Sequence, residues 1–163
     1  MRLFIAIKLN SELRNALTDV QQRLIRRGIR GNYTNTDNLH VTLVFIGEYD
    51  GPGLITEVLS EVPFSPFTVS LSRLGHFGNL WWVGLDENDE LVSYVKRLRK
   101  ALSEAGIPFD KKKFSPHITL IRKAIGTLPA VSVPKTVMSV DHISLMRSER
   151  GPKGMIYTEI GRN

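Results

Sequence analysis

The pattern His-x-Thr-Leu occurs twice in the chain, as His40-Val41-Thr42-Leu43 and as His117-Ile118-Thr119-Leu120, 77 residues apart. Four histidines and ten threonines among 163 residues would give roughly 0.25 His-x-Thr segments by chance. Each copy lies in an apolar run that is typical of a β-strand. The repeat therefore exceeds the chance expectation and marks two strands as candidates for a shared site.

The spacing within each copy has a geometric meaning. Residues i and i+2 of a strand project from the same face, so each strand offers an imidazole beside a hydroxyl. Two imidazoles with ordinary pKa values near 6.5 can divide the work at neutral pH, one as base and one as acid. The hydroxyls supply hydrogen-bond donors for an anion. This set suits phosphoryl transfer with proton transfer at both ends.

Two other interpretations of the repeat stay open. In one, the histidines and threonines are ordinary strand residues with satisfied side chains. In the other, the two histidines bind a metal ion. No carboxylate, cysteine or third histidine stands at ligand-like spacing beside either copy, so such a metal site would have too few ligands. We therefore expect no metal and no other cofactor.

The order of elements around the two copies predicts an α+β fold. Period-two patterns predict strands over 2–9, 39–46, 114–122, 137–146 and 155–160, and a hairpin with arms at 67–76 and 80–85. Helical spacing predicts helices from a cap at Ser11 to a stop at Gly28, over 53–61, and from Leu91 to about Gly106. Polar residues predict a loop over 31–38. No linker composition divides the chain, so we expect a single domain over 1–163.

The composition excludes several classes of protein. The chain is 42% hydrophobic and 23% charged, which is typical of a folded globular domain. The absence of cysteine excludes a disulfide framework, a cysteine zinc site and a thiol nucleophile. No apolar run approaches the roughly 20 residues of a membrane span, and the first ten residues look like a strand rather than a signal peptide. We expect a cytoplasmic protein, and the net charge of +6 favours an anionic partner.

The paired motifs and their contexts are similar to those of the 2H phosphoesterase superfamily, specifically the bacterial and archaeal RNA 2′,3′-cyclic phosphodiesterases, also called 2′-5′ RNA ligases. The resemblance covers nearly the whole chain. Besides the motifs, the matching pieces are Arg2-Leu3-Phe4-Ile5-Ala6-Ile7, Asn38-Leu39-His40, Phe45-Ile46-Gly47-Glu48, Phe67-Thr68-Val69, Trp82-Val83-Gly84, Arg122 and Leu145-Met146-Arg147-Ser148. The chain departs from many relatives at Tyr33, where they carry Trp, and in its short 76–81 segment. These departures bear on substrate contacts rather than on the reaction.

The resemblance implies two similar lobes whose antiparallel sheets face each other across a central cleft, with helices outside and one motif from each lobe. It also implies opening of a 2′,3′-cyclic phosphate at an RNA end to a 2′-phosphate, and weakly the reverse joining to a 2′-5′ linkage. By position, His40 is similar to the proton donor to the 3′-oxygen, and His117 to the base that activates water. Thr42 and Thr119 would hold the non-bridging phosphate oxygens. The residues alone do not distinguish the acid from the base, because the motifs are nearly symmetric.

Two further positions match substrate contacts of the family. Phe45 would stack on the terminal base, and Arg122 would contact the phosphate. Each lies five residues after its histidine, so strict alternation points it to the opposite face, and a bulge must turn it back if the resemblance holds. The alternatives are core packing for Phe45 and an exposed charge at a strand end for Arg122.

The remaining expectations concern partners. The run Lys111-Lys112-Lys113 lies just before the second motif and is either a cleft rim that contacts RNA or a solvated loop. We expect a monomer acting on RNA that ends in a 2′,3′-cyclic phosphate. The alternatives are a catalytically idle RNA-binding module, and an enzyme acting on a small cyclic nucleotide or an ADP-ribose cyclic phosphate.

Overall fold

The computed structural model describes all 163 residues, and its strands form two antiparallel sheets. The nine strands are β1 (Arg2–Lys8), β2 (Arg30–Tyr33), β3 (His40–Glu48), β4 (Phe67–Phe77), β5 (Leu80–Leu85), β6 (His117–Ile125), β7 (Val137–Val140), β8 (Ser144–Gly151) and β9 (Gly154–Arg162). The first sheet has the order β3-β1-β8-β9 and the second the order β2-β6-β5-β4-β7. The predicted α+β fold, with two antiparallel sheets facing each other across a cleft, is confirmed.

Strand β1 lies inside the first sheet, as its two apolar faces predict. Leu3, Ile5 and Ile7 are buried in the main core, which includes residues of both sheets and of the helices. Phe4 and Ala6, on the other face, form a small separate cluster with Met146. One face of the sheet therefore anchors the fold, and the other is left to line the cleft.

Three helices cover the outer faces: α1 (Ser11–Arg26), α2 (Pro52–Glu61) and α3 (Asp89–Glu104). The predicted cap at Ser11 is wrong by one residue, because the side chain of Asn10 accepts the hydrogen bond from the Leu13 amide. Gly28 follows the last turn of α1 with a φ of 79°, so the predicted stop is confirmed. No helix is long and apolar enough to cross a membrane.

Two stretches differ from the sequence predictions. The predicted loop over 31–38 contains β2 and a short 3₁₀ turn (Thr36–Asn38), because β2 pairs with the edge of β6 although its residues are mostly exposed. The strand predicted over 137–146 is two strands in different sheets. The buried positions change phase from Met138 and Val140 to Ile143 and Leu145, and this change marks the break at 141–143 where the chain crosses between sheets.

The strands of the two sheets are interleaved along the chain, because β2 enters the second sheet before the first is complete, and β8 and β9 return to the first. The 38 residues of the main core form one continuous cluster that includes strands of both sheets. We therefore propose that residues 1–163 form a single domain whose sheets unfold together.

Unfolding experiments test this proposal. Ile5 is fully buried in the first sheet, whereas both tryptophans, Trp81 and Trp82, lie in β5 of the second. Ile5→Ala should lower the free energy of unfolding by about 2–5 kcal/mol. Tryptophan fluorescence and far-UV circular dichroism should shift together in a denaturant titration. Leu54→Ala, at an exposed position of α2, should change stability by less than about 0.5 kcal/mol. A shift in circular dichroism without a shift in fluorescence would mean that the sheets unfold separately.

Candidate active site

A β-bulge follows the first His-x-Thr segment. In the pairing of β1 with β3, Ile5 is opposite Val44 and Ala6 is opposite Thr42, so Leu43 has no partner. Leu43 and Val44 are consequently both buried, although they are neighbours in the strand. The extra residue reverses the phase of alternation, so Phe45 returns to the face of His40 and Thr42.

A β-bulge also follows the second His-x-Thr segment. In the pairing of β5 with β6, Trp81 is opposite Ile121 and Trp82 is opposite Thr119, so Leu120 is the extra residue. Leu120 and Ile121 are both fully buried, and Arg122 is exposed on the side of the cleft. The Leu120 carbonyl accepts hydrogen bonds from the Gln21 side-chain amide, at 3.1 Å, and from the Thr34 backbone amide, at 2.8 Å. The predicted reorientation of Phe45 and Arg122 by a bulge is thus present at both positions.

Both imidazoles are held in one orientation by a backbone carbonyl two residues earlier. Nδ1 of His40 lies 2.7 Å from the Asn38 carbonyl oxygen, and Nδ1 of His117 lies 2.7 Å from that of Ser115. A carbonyl only accepts, so each Nδ1 carries the proton and donates it. In each neutral ring Nε2 is then the unprotonated nitrogen, which can only accept. For His40, Nε2 lies 2.9 Å from the hydroxyl of Thr42, which donates to it.

The electrostatic surroundings of His40 favour one protonation state of its imidazole. Burial lowers the pKa of His40, and the positive charges of Arg122 and His117 lower it further. The hydrogen bond to the Asn38 carbonyl opposes this change but does not outweigh it. The His40 imidazole is therefore biased toward its neutral form, and an anion near Arg122 would offset the part of that bias that comes from the guanidinium.

The cleft contains a cavity of about 750 Å³ that joins the two sheets. His40, Thr42 and Phe45 from β3 line it together with Arg122 from β6. His117 and Thr119 lie on β6 before the bulge and do not line this cavity, but β6 contacts β3 and the charge of His117 acts on His40. The structure therefore brings Arg122 into the surroundings of the first motif.

Each histidine lies in an aromatic setting that the sequence predictions missed. Around His40, the ring centroids of Phe4 and Tyr157 are 5.0 Å and 5.3 Å away, and the Tyr157 ring meets the imidazole edge to face. Around His117, those of Phe77 and Trp82 are 5.3 Å and 6.2 Å away. These contacts cross between strands far apart in sequence, so local patterns do not reveal them.

One further contact concerns the predicted stacking residue. The Arg2 guanidinium lies 4.9 Å from the ring centroid of Phe45, and both residues line the cavity. Phe45 is partly exposed and packs against the small Phe4 cluster, so it contributes to the core on one side and to the cleft on the other. Phe45 therefore packs partly in the core, as one interpretation predicts, and faces the cleft, as base stacking would require.

The lysine run and Tyr33, which the sequence analysis singled out, lie outside this cavity. Lys111, Lys112 and Lys113 are exposed, and none lines it. The hydroxyl of Tyr33 donates to the Ile29 carbonyl at 2.8 Å, so its role in the structure is to secure β2. No group of three or more histidine, aspartate or glutamate side chains is arranged to hold a metal ion.

Comparisons with known proteins agree with this architecture. A sequence model of the 2′-5′ RNA ligase superfamily matches residues 9–152. The chain is 30% identical to a protein of Thermotoga maritima named RNA 2′,3′-cyclic phosphodiesterase, over 96% of this chain and 91% of that protein. It is 33% identical to a Thermus thermophilus protein of the same name, over 97% of this chain and 87% of the relative.

Solved structures show the same fold. A crystal structure of Escherichia coli LigT complexed with 3′-AMP superposes with a TM-score of 0.85 at 26% identity, covering 99% of this chain and 96% of LigT. A crystal structure of a Thermus thermophilus protein superposes with a TM-score of 0.77 at 31% identity, covering 99% and 96% of the two chains. The superfamily match includes both His-x-Thr segments and every strand except β1 and β9. The chain belongs to the 2′-5′ RNA ligase superfamily.

Proposed function

We propose that this protein is an RNA 2′,3′-cyclic phosphodiesterase, a hydrolase that opens a terminal 2′,3′-cyclic phosphate to a 2′-phosphate without a metal ion. The observation that carries the proposal is the pair of imidazoles, each with its Nδ1 proton donated to a backbone carbonyl and its Nε2 left as the unprotonated nitrogen. Relatives along nearly the whole chain bear the name of this activity. We also propose that the protein acts as a monomer, since both motifs come from one chain, and that it is cytoplasmic, as its composition predicts.

The two histidines would divide the proton transfers of an in-line displacement. Nε2 of His117 takes a proton from water as the water oxygen bonds to phosphorus, and Nε2 of His40 gives a proton to the departing 3′-oxygen. The P–O3′ bond breaks, and the product carries a 2′-phosphate and a 3′-hydroxyl. The assignment of acid and base rests on the family resemblance, and the different surroundings of the two imidazoles allow it to be tested.

Hydrogen-bond donors from both sheets would stabilise the negative charge on the phosphate. The hydroxyls of Thr42 and Thr119 and the guanidinium of Arg122 would hold the non-bridging oxygens, where negative charge grows in the transition state. In the free protein, burial and positive neighbours keep the pKa of His40 low. A bound phosphodiester anion would oppose the charge of Arg122 and raise the pKa of His40, so substrate binding would favour uptake of a proton from solvent by the acid.

The RNA end would lie in the cavity of the first sheet. Phe45, with Arg2 against its ring, offers an aromatic face for the terminal base. A cavity of about 750 Å³ accommodates a nucleotide. The same cavity would also hold a mononucleoside cyclic phosphate. The dependence of the hydrolysis rate on oligonucleotide length would therefore distinguish RNA from small cyclic nucleotides as substrates.

The reaction itself is the first test. An oligoribonucleotide that ends in a 2′,3′-cyclic phosphate should yield a 2′-phosphate in excess EDTA. His40→Ala and His117→Ala should each reduce the rate by roughly 10²- to 10⁴-fold, because each removes one proton transfer. His142→Ala is the matched control, since His142 pairs with Asp141 outside the cavity. Tight RNA binding by the wild-type protein without turnover would identify a binding module instead.

A substrate with sulfur in place of the 3′-bridging oxygen separates acid from base. A thiolate, with a pKa near 8.5 for its thiol, leaves without a proton, whereas an alkoxide needs one. His40→Ala should therefore regain most of its lost activity on the sulfur substrate, and His117→Ala should not. The opposite pattern would exchange the two roles while keeping the reaction.

The pKa of His40 is the third test. Because burial, Arg122 and His117 all disfavour the imidazolium, ¹H NMR should show His40 titrating below the ordinary value of about 6.5 in the free protein. Arg122→Gln should raise this pKa, and so should a saturating 2′-nucleotide. Because the folded pKa is depressed, stability should fall as pH drops through about 6.5 toward the folded pKa. An unchanged pKa in Arg122→Gln would remove Arg122 from the surroundings of His40.

A further inference from the structure

A second aromatic surface lies beside His117, on the hairpin of β4 and β5. It consists of Phe77 and Trp82, whose ring centroids are 5.1 Å apart. Phe77 meets the His117 imidazole edge to face and yet is 49% exposed. An exposed phenylalanine packed on a functional histidine contributes little to the core, so its exposed face is available to a ligand. We call Phe77 and Trp82 the hairpin platform.

Two glycines leave room for the Trp82 indole to lie across the sheet. Gly75 is its direct cross-strand partner, and Gly84 follows two residues later on the same face. A Cβ on Gly75 would lie 2.3 Å from Cη2 of Trp82, and one on Gly84 would lie 3.3 Å from Cζ3. A side chain at Gly75 would force the indole away, so the sequence keeps the ring against the backbone.

The platform borders space that differs from the first cavity. Trp82, but neither Phe77 nor His117, lines an open groove of about 760 Å³ that also contains neither His40 nor Phe45. The groove also carries Arg73, whose guanidinium is 6.0 Å from the Trp82 ring centroid. Of its acidic residues Asp86, Glu87 and Asp89, only Asp86 is paired with a lysine. These carboxylates favour an uncharged ligand end over one that bears a phosphate.

The location of the hairpin platform indicates which part of the substrates it would bind. In the proposed function the nucleoside of the cyclic phosphate stacks on Phe45, and His117 takes the proton of the nucleophile. Because attacking and leaving oxygens lie on opposite sides of phosphorus, the nucleophile would approach from the side of His117. A base stacked on the hairpin platform would hold its sugar on the nucleophile side. We propose that the hairpin platform binds the base of a second nucleoside, whose free 5′-hydroxyl replaces the attacking water. This inference rests on the proposed function. It adds a binding site that would favour attack by the 5′-hydroxyl over attack by water.

The step balances without any other reactant. The 5′-oxygen bonds to phosphorus and its proton goes to Nε2 of His117, while the P–O3′ bond breaks and Nε2 of His40 protonates the 3′-oxygen. The product is a 2′-5′ phosphodiester. The joining reaction is what the family resemblance implies, and the acceptor site is the new element.

The ratio of joined to hydrolysed product measures acceptor binding, because both reactions share the same histidines. With adenosine 2′,3′-cyclic phosphate as donor and adenosine as acceptor, Phe77→Leu and Trp82→Leu should each lower this ratio roughly 5- to 150-fold, which corresponds to the loss of about 1–3 kcal/mol of stacking. Phe77→Leu keeps apolar volume over His117, and Phe77→Trp should restore the ratio. Leu54→Ala, at an exposed position outside the cleft, should leave it unchanged. An unchanged ratio in Phe77→Leu and Trp82→Leu would overturn the acceptor site.

Tryptophan fluorescence tests the same site without turnover. With the first cavity filled by adenosine 2′-phosphate, added adenosine should quench fluorescence saturably, because a stacked base contacts Trp82. Trp81 is 3% exposed and provides the background that remains in Trp82→Phe, where the quenching should vanish. Adenosine 5′-phosphate should quench less, since the groove is acidic. Quenching that persists in Trp82→Phe would overturn the site. Absent hydrolysis with saturable, Trp82-dependent quenching would overturn the proposed reaction and keep the nucleoside site.

Discussion

One extra residue in each of two strands is the constraint on which the cleft depends. Without the bulges at Leu43 and Leu120, strict alternation would turn Phe45 and Arg122 into the core and leave buried side chains exposed. With them, each strand presents His, Thr and a third residue five positions after the histidine on one face. The energetic penalty of an unpaired ladder position is limited at β6, where Gln21 and Thr34 satisfy the free carbonyl.

The repeat is symmetric in geometry and asymmetric in surroundings. Both imidazoles donate to a carbonyl two residues earlier, yet only His40 accepts from its threonine, and burial lowers the pKa of His40. Because Arg122 acts on His40 from the opposite strand, each half of the site modifies the other. An acid and a base can thus arise from one sequence motif, since the environment rather than the residue type sets their difference.

The sequence predicts the parts of this protein that depend on local periodicity or on the repeat. Most strands and all three helices follow from apolar spacing, and the need for bulges follows from the five-residue offset of Phe45 and Arg122. Strand β2 is not predicted, because pairing with β6 rather than an apolar pattern holds its exposed residues. The break at 141–143 was missed, although the buried positions change phase there from Met138 and Val140 to Ile143 and Leu145. Tyr157 and Trp82 were missed as neighbours of the histidines because they approach from distant strands, and no local pattern encodes that approach.

The interleaved strand order also has a consequence for synthesis. Strand β1 has neighbours β3 and β8, and β8 is translated more than a hundred residues after β1. A nascent chain that lacks β8 and β9 holds both histidines but leaves one edge of β1 unpaired and His40 without Tyr157. Completion of the first sheet therefore couples the assembly of the cleft to the end of translation, so truncated chains would carry the motifs without the finished site.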